Sequence, residues 1–448
     1  MSTFSKIAIA IIVVLVIALF FVFFYFFNPK TADVKIPKNE KPTVEKEVNA
    51  LTFYHWWTSP GESAAVNKLI GVFTEKYPDV AIVAAPVVGG AGFKMLTIIK
   101  SLVTGGESPD AFQMHAGYEA RPFFDAGLLS SIDYIWESEK LESKIPAVIQ
   151  DMNKFEGHYY SVPVDVHRSN LIWYNKTVLQ KYGIDPEKIK TWEDFFAATE
   201  TLRKNGMKYP VQMGESWTSS HVFESIVAGL GIDVYEDWVN GKIIATNDLH
   251  LTKATQTFEK YLSYTNKDNS GLPWDEAIRR VIKGEGAFST MGDWANGEFK
   301  LVGMKYGKEY GSILVPGTEG MFGLVVDTFQ HPKGSLHSIN SDRWLRVVAS
   351  REGQDAFNII KGSISPRTDL DITKYDTYQQ SAITEFKNAK YMYPSIVHGT
   401  GAPESFKLQL NDFIAEFVTD RNLDKLVSGI SNATKQNIAQ YNRAWKLK

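Results

Sequence analysis

The chain of 448 residues contains no cysteine. Disulfides, cysteine-held zinc, a thiol nucleophile and a lipid-bearing cysteine anchor are thereby excluded. It also carries little net charge, −3, so no global field recruits nucleic acid. Local signatures of catalysis are missing as well. There is no H-E-x-x-H helix and no G-x-S-x-G elbow,. His115 has Glu119 four residues on, but no third metal ligand follows at a readable spacing,. Gly89-Gly90-Ala91-Gly92 lacks both the Lys-Ser/Thr of a phosphate loop and the spacing of a dinucleotide fingerprint,. It reads as a tight turn into a helix. No cofactor and no metal are expected, and an enzyme has no positive local support. Paired carboxylates could still hydrolyse a glycoside, and 51 acidic residues do not single out a pair.

What is abundant is apolar and aromatic. Ile7 to Phe27 runs 21 residues without a charge or helix breaker. At about 1.5 Å per residue that spans a bilayer core of roughly 30 Å. It ends at Phe27-Asn28-Pro29, with no small-x-small cleavage site, so it reads as a retained transmembrane signal anchor. Lysines flank it on both sides, at Lys6 and at Lys30, Lys35, Lys38 and Lys41. Charge alone therefore does not orient it as an exported domain requires. Residues 28–49 hold Pro29, Pro37 and Pro42 among alternating charges, the composition of a solvated tether,. Glycosylation sequons stand at Asn175 and Asn432,.

The body after the tether alternates strand and helix patterns. Leu51 to His55 reads as a strand. A helix follows with an apolar face of Val66, Leu69, Ile70, Phe73 and Tyr77, stopped by Pro78,. Val80 to Val88 reads as a buried parallel strand, Phe93 to Val103 as a helix and Ala111 to Met114 as a strand,. Further strands are predicted at 161–166, 171–174, 209–213, 287–291, 313–315 and 322–328. Helices are predicted at 191–204, 219–228, 251–264, 274–283, 342–350, 353–360, 404–417 and 423–445. About 400 residues of α/β pattern exceed one ordinary core, so two lobes are expected.

Three strand ends carry polar and aromatic residues together: Trp56-Trp57, Gln113-Met114-His115 and Met291-Gly292-Asp293-Trp294. Open parallel sheets present such loops to ligands. A sugar offers hydroxyls to acids, amides and imidazoles, and a C–H face to an indole. Any one of these tryptophans could equally be core.

At these residues the chain resembles the extracellular solute-binding proteins of ABC sugar importers, the family that includes the maltose-binding proteins. The strings Phe53-Tyr54-His55-Trp56-Trp57, Ser108-Pro109-Asp110-Ala111-Phe112-Gln113-Met114-His115 and Ser161-Val162-Pro163-Val164-Asp165-Val166-His167 carry the likeness. So do Gly284-Glu285-Gly286-Ala287-Phe288, Lys361-Gly362-Ser363-Ile364-Ser365 and Val397-His398-Gly399-Thr400-Gly401. They are similar to the glucose/galactose-binding branch of thermophilic bacteria and archaea. The resemblance implies an α/β, type II periplasmic-binding-protein-like fold of two lobes with a ligand cleft between them. The lobes would be 50–162 with 325–361, and 163–324 with 362–448. Crossovers would lie near 161–166, 320–325 and 361–366. It implies sugar contacts from Trp56, Trp57, Glu62, Gln113, His115, His167, Trp274, Asp293, Trp294, Lys361 and His398. Trp274 is the first choice for stacking. It further implies a monomer without catalysis, holding a monosaccharide outside the cell and handing it to permease subunits. The cysteine-free apolar anchor looks archaeal and places the body outside. A surface carbohydrate-processing enzyme, or the same fold holding an oligosaccharide, stands as the alternative.

Overall fold

The computed structural model describes residues 49–438. The Ile7–Phe27 run, and the tether apart from Asn49, lie outside the described residues. Among the described residues, no helix is long and apolar enough to cross a membrane. The strands that build the site are, along the chain, β1 (Ala50–His55), β2 (Ala81–Pro86), β3 (Ala111–His115), β4 (Ser161–Pro163), β5 (His167–Arg168) and β6 (Leu171–Asn175). They continue with β7 (Phe288–Thr290), β8 (Tyr310–Leu314), β9 (Met321–Val325), β10 (Asp327–Gln330) and β11 (Tyr391–Pro394). Among the helices of the chain are α1 (Pro60–Lys76), α2 (Phe93–Gly105), α3 (Ser216–Ala228), α4 (Trp274–Lys283), α5 (Arg351–Lys361) and α6 (Glu404–Asp420).

One sheet has the order β2-β1-β3-β10-β4. β1 is parallel to β2 and β3, while β10 returns antiparallel to β3 and β4. That register sets His115 opposite Asp327. α1 starts where Ser59 Oγ accepts from the Glu62 amide at 3.3 Å and Pro60 fills the first turn,. Its buried Val66, Leu69 and Phe73 pack toward the sheet, and α5 lies beside it. Phe53 of β1 stacks on Trp344 at 4.4 Å. A core of Leu51, Phe53, Leu69, Phe73, Phe112, Phe329 and Trp344 results. The other half is built on two three-stranded sheets, β8-β6-β7 and β11-β9-β5. Its own core includes Phe195, Phe223, Trp238, Phe258 and Phe406.

The structure corrects several sequence expectations. Val80 to Val88 forms a parallel strand, but β2 is a sheet edge. Its residues alternate in exposure, and Val83 is half exposed, because among the described residues no further strand covers that edge. The predicted strand 322–328 is two strands, β9 and β10, broken at Val326 and belonging to different sheets. The predicted strand 209–213 reduces to Val211, which bridges Thr265 and Phe288. Helix 342–350 begins earlier, at Ser338. The last predicted helix is present as Leu423–Asn437, and residues 439–445 of it lie outside the described residues.

Val326 marks one of three places where the chain passes between the sheets, and these passages touch. Val166 and Ile364 exchange amide hydrogen bonds of 2.7 and 3.0 Å. The Asp327 amide donates to Asp165 Oδ1 at 3.0 Å, and the Val164 amide to the Asp327 carbonyl at 2.9 Å. Asn358 Nδ2 on α5 donates to the Val164 carbonyl at 2.9 Å.

Candidate functional site

The passages floor a cavity whose walls come from both halves. From β1, Trp56 enters it. The Trp56 amide donates to Gln113 Oε1 at 3.0 Å, and the indole packs on His115 at 4.8 Å between ring centres. Gly90 and Ala91, just ahead of α2, line the same wall. A side chain at Gly90 would meet the Trp217 indole at 2.5 Å, so only glycine admits this approach,. Glu62, in the first turn of α1, accepts from Lys361 Nζ at 2.6 Å. Burial opposes the Lys361 ammonium, yet Glu62, Asp327 and Asp165 hold its pKa above the ordinary lysine value,.

Behind the floor lies a buried ion-pair chain. His167 Nδ1 is 2.5 Å from Asp293 Oδ1, and its Nε2 is 3.0 Å from Asp165 Oδ2 and 3.7 Å from Asp327 Oδ2. Burial pulls the His167 pKa down, but Asp165 and Asp293 lift it well above the histidine range, so it stands as an imidazolium,. Burial and the neighbouring Asp327 push Asp165 up. Asp327, despite burial, is held low by His167 and His115. Asp165, His167 and Asp327 offer ligand atoms within 4.8 Å of one another. A protonated imidazole has no lone pair for a cation, however, and Lys361 adds a second positive charge beside both carboxylates,. The set is accounted for as an ion-pair network.

The opposite wall is aromatic and neutral. Trp294, Trp217 and Trp274 line it with His398. His398 packs edge-on to Trp294 at 5.0 Å and to Trp217 at 5.7 Å. Burial holds both His398 and His221 below the histidine range, His221 at about 4, so both are neutral. His221 Nδ1 and His398 Nε2 are 3.2 Å apart and share one hydrogen,. Trp217 Nε1 is buried without a protein hydrogen-bond partner, and Glu62 and Asp327 bring carboxylate oxygens to the lining. The cavity thus offers free donors and acceptors beside indole rings, which is what a polyhydroxylated ligand with an apolar face requires.

Of the eleven residues implied by the sequence, the structure places Trp56, Glu62, His115, His167, Trp274, Trp294, Lys361 and His398 on the cavity. Three stand behind it. Trp57 points the other way from Trp56, as alternate strand-end residues do; it packs on Phe357 at 4.5 Å and donates to Asp327 Oδ2 at 3.3 Å. Gln113 gives its Oε1 to the Trp56 amide, and its Nε2 is buried without a protein partner. Asp293 accepts from the Arg168 amide and from Tyr378 Oη, both at 3.1 Å, and from His167. Trp217 and Asp327 line the cavity without having been singled out. The turn Gly214-Glu215-Ser216 ahead of Trp217 was the available signal for the first; the false strand 322–328 hid the second. The sequon Asn175 is buried, donating to the Val281 carbonyl at 2.9 Å, whereas Asn432 is exposed.

Comparison with known proteins agrees with this architecture. The family model described as bacterial extracellular solute-binding protein matches residues 56–355. An ABC transporter extracellular-binding protein of Pyrococcus horikoshii is 44% identical over 401 residues, 89% of this chain and 90% of the relative. A probable sugar-binding periplasmic protein of Brucella melitensis is 30% identical, covering 82% of this chain and 88% of the relative. Among solved structures, the bacterial solute receptor AcbH, reported to prefer β-D-galactopyranose exclusively, superposes with a TM-score of 0.73. It is 17% identical, over 86% of this chain and 98% of that one.

Proposed function

Since the chain belongs to the bacterial extracellular solute-binding protein family, we propose that it is the sugar receptor of an ABC importer, closing two lobes around one monosaccharide. Glucose is the first candidate, with galactose and mannose beside it. The Ile7–Phe27 run tethers the receptor to the outer face of the cell membrane, and the closed form delivers its sugar to the permease. The observation that carries the reading is the cavity's lining, where indole rings stand beside charged and hydrogen-bonding side chains, as small-molecule sites require. The cavity is walled on one side by Trp217, Trp274 and Trp294 and on the other by Trp56, Glu62, Lys361, His115 and Asp327. One pyranose ring would meet both walls at once.

The carboxylates that line the cavity are paired with cations, Glu62 with Lys361 and Asp327 with His167. Such groups accept hydrogen bonds from hydroxyls rather than deliver protons. The sugar is therefore expected to leave unchanged. Calorimetric titration of the full chain with glucose, galactose, mannose, maltose and maltotriose tests the reading. A monosaccharide should bind at least about tenfold tighter than maltose, roughly 1.4 kcal/mol, and the recovered sugar should be chemically intact. Maltotriose binding tightest would overturn the monosaccharide, and hydrolysis would overturn the receptor.

A further inference from the structure

Lys407 and Glu119 lie on different halves of the molecule. Lys407 is on α6, between Phe406 and Leu410 of the second core. Glu119 follows β3, between Ala116 and Ala120 of the first core. Nevertheless Lys407 Nζ donates to Glu119 Oε1 at 2.5 Å, with side-chain exposures of 1% and 0%. The ammonium also lies 4.6 Å from the ring centre of Phe93, at the start of α2 in the first half. Both of these contacts of the ammonium are thus across the cleft.

The backbone beneath repeats the crossing. The Glu119 amide donates to the Gly399 carbonyl at 2.9 Å and the Tyr118 amide to Thr400 at 3.3 Å. A side chain at Gly117 would stand 2.4 Å from the Thr400 carbonyl oxygen, which leaves no space for one. Glu119 at the same time faces the cavity's own machinery. Its Oε2 accepts from the His115 amide at 2.8 Å and contacts His115 Nδ1 at 2.9 Å, so the other ring nitrogen of His115 is turned toward the cavity. Gly399, against Glu119, adjoins His398 of the opposite wall.

We propose that Lys407–Glu119 is a closure latch, an ion pair between lobes that forms when they meet and is registered to the ligand cavity through His115 and the His398 loop. The inference rests on the sugar-receptor reading. Its physical basis is that both charges are dry only while the lobes touch. Opening the cleft rehydrates them and releases the Gly399 and Thr400 carbonyls together, so the contact acts on the open–closed equilibrium. Glu119 and Lys407 are positioning residues, since neither lines the cavity.

The absence of cysteine permits a clean test on the full chain. Spin labels at Glu75→Cys on α1 and Lys253→Cys on the far half, both exposed, report lobe separation by pulsed EPR. Stopped-flow tryptophan fluorescence reports release of glucose, galactose and mannose. Lys407→Met and Glu119→Gln should each widen the distance distribution at saturating sugar and speed release at least tenfold. The double variant should do little more than either single one, because one interaction is lost in all three. A pair with only a structural role would lower the melting temperature and leave distance and release rate untouched; that result overturns the latch, as do additive single effects. Should the parent chain bind none of the sugars, the receptor reading fails separately. The latch is then read without sugar, where Lys407→Met must shift the lobes apart and an unshifted distribution refutes it.

Discussion

The indole N–H of Trp217 is buried at the cavity with no protein acceptor, and an unpaired buried donor costs about 1–3 kcal/mol. A sugar hydroxyl that meets it recovers that cost. Trp217→Phe keeps the ring and removes the donor, so glucose affinity measured by calorimetry should fall about tenfold with little change in melting temperature. Trp274→Ala removes a whole stacking face and should cost about 2 kcal/mol or more. At this scale residue type was readable and direction was not. Trp56 and Trp57 are adjacent and identical, yet one faces the cavity and the other Phe357. Only strand alternation with a known register distinguishes them. Protonation also belongs here. Burial lowers His55 and His221 to about 4 from 6.5. Depressed groups stabilise the fold above the unfolded pKa and lose that contribution as pH falls, here between about 6.5 and 4, by up to roughly 3 kcal/mol each. Glu119 is held at about 2: burial would raise it, but His115 and Lys407 prevail, so its loss comes later, between 4.5 and 2. Urea unfolding at pH 7, 5, 4 and 3 should show both stages. His55→Phe should flatten the first and spare the second.

Elements were legible where one face is apolar and one polar. The α1 stripe of Val66, Leu69 and Phe73 is buried as its spacing requires, and the strand–helix succession through β3 holds. Failures came where neighbours decide. Buried and edge strands share the apolar content of 80–88, and only the sheet order exposes Val83. No residue at 326 signals a break, because Val326 is apolar and buried like the strands around it; the change of sheet is a long-range event. The glycine turn before α2 gives the sharpest test at this scale. Gly92 has φ +73, and a side chain there would stand 2.7 Å from the Trp56 ring. Gly106, closing the same helix, has φ +80 and open space around it. Gly106→Ala should cost about 1 kcal/mol of stability from backbone strain alone and leave affinity unchanged. Gly92→Ala carries the same strain and also displaces Trp56, so sugar affinity should fall at least tenfold. Equal affinities in the two variants would show that the Gly92–Trp56 approach does not shape the cavity.

At the scale of the whole molecule, the cavity joins Trp56 to His398 across most of the body. Composition and periodicity call for two lobes from size alone. They do not pair β3 with β10, which brings His115 to Asp327 over a separation of more than two hundred residues; that pairing was reachable only through family resemblance. The same topology makes the last prediction. Residues from Asn49 onward form one compact unit by contact, and β1 begins at Ala50, with Asn340 Nδ2 donating to Asn49 Oδ1 and to the Ala50 carbonyl, each at 2.8 Å. A chain beginning at Val48 retains those bonds, both cores and every residue of the cavity. It should therefore fold as a monomer without detergent and show a radius of gyration of about 21 Å by X-ray scattering, the value for roughly 400 compact residues. Its glucose affinity should match that of the full chain, because the residues that line the cavity run from Trp56 to His398 and are all retained. Saturating glucose should then shrink the radius as the lobes meet across Glu119 and Lys407, and in Lys407→Met the shrinkage should be smaller at equal occupancy. A shortened chain that aggregates, or that binds sugar with no change in radius, would place the working boundary or the closing motion elsewhere.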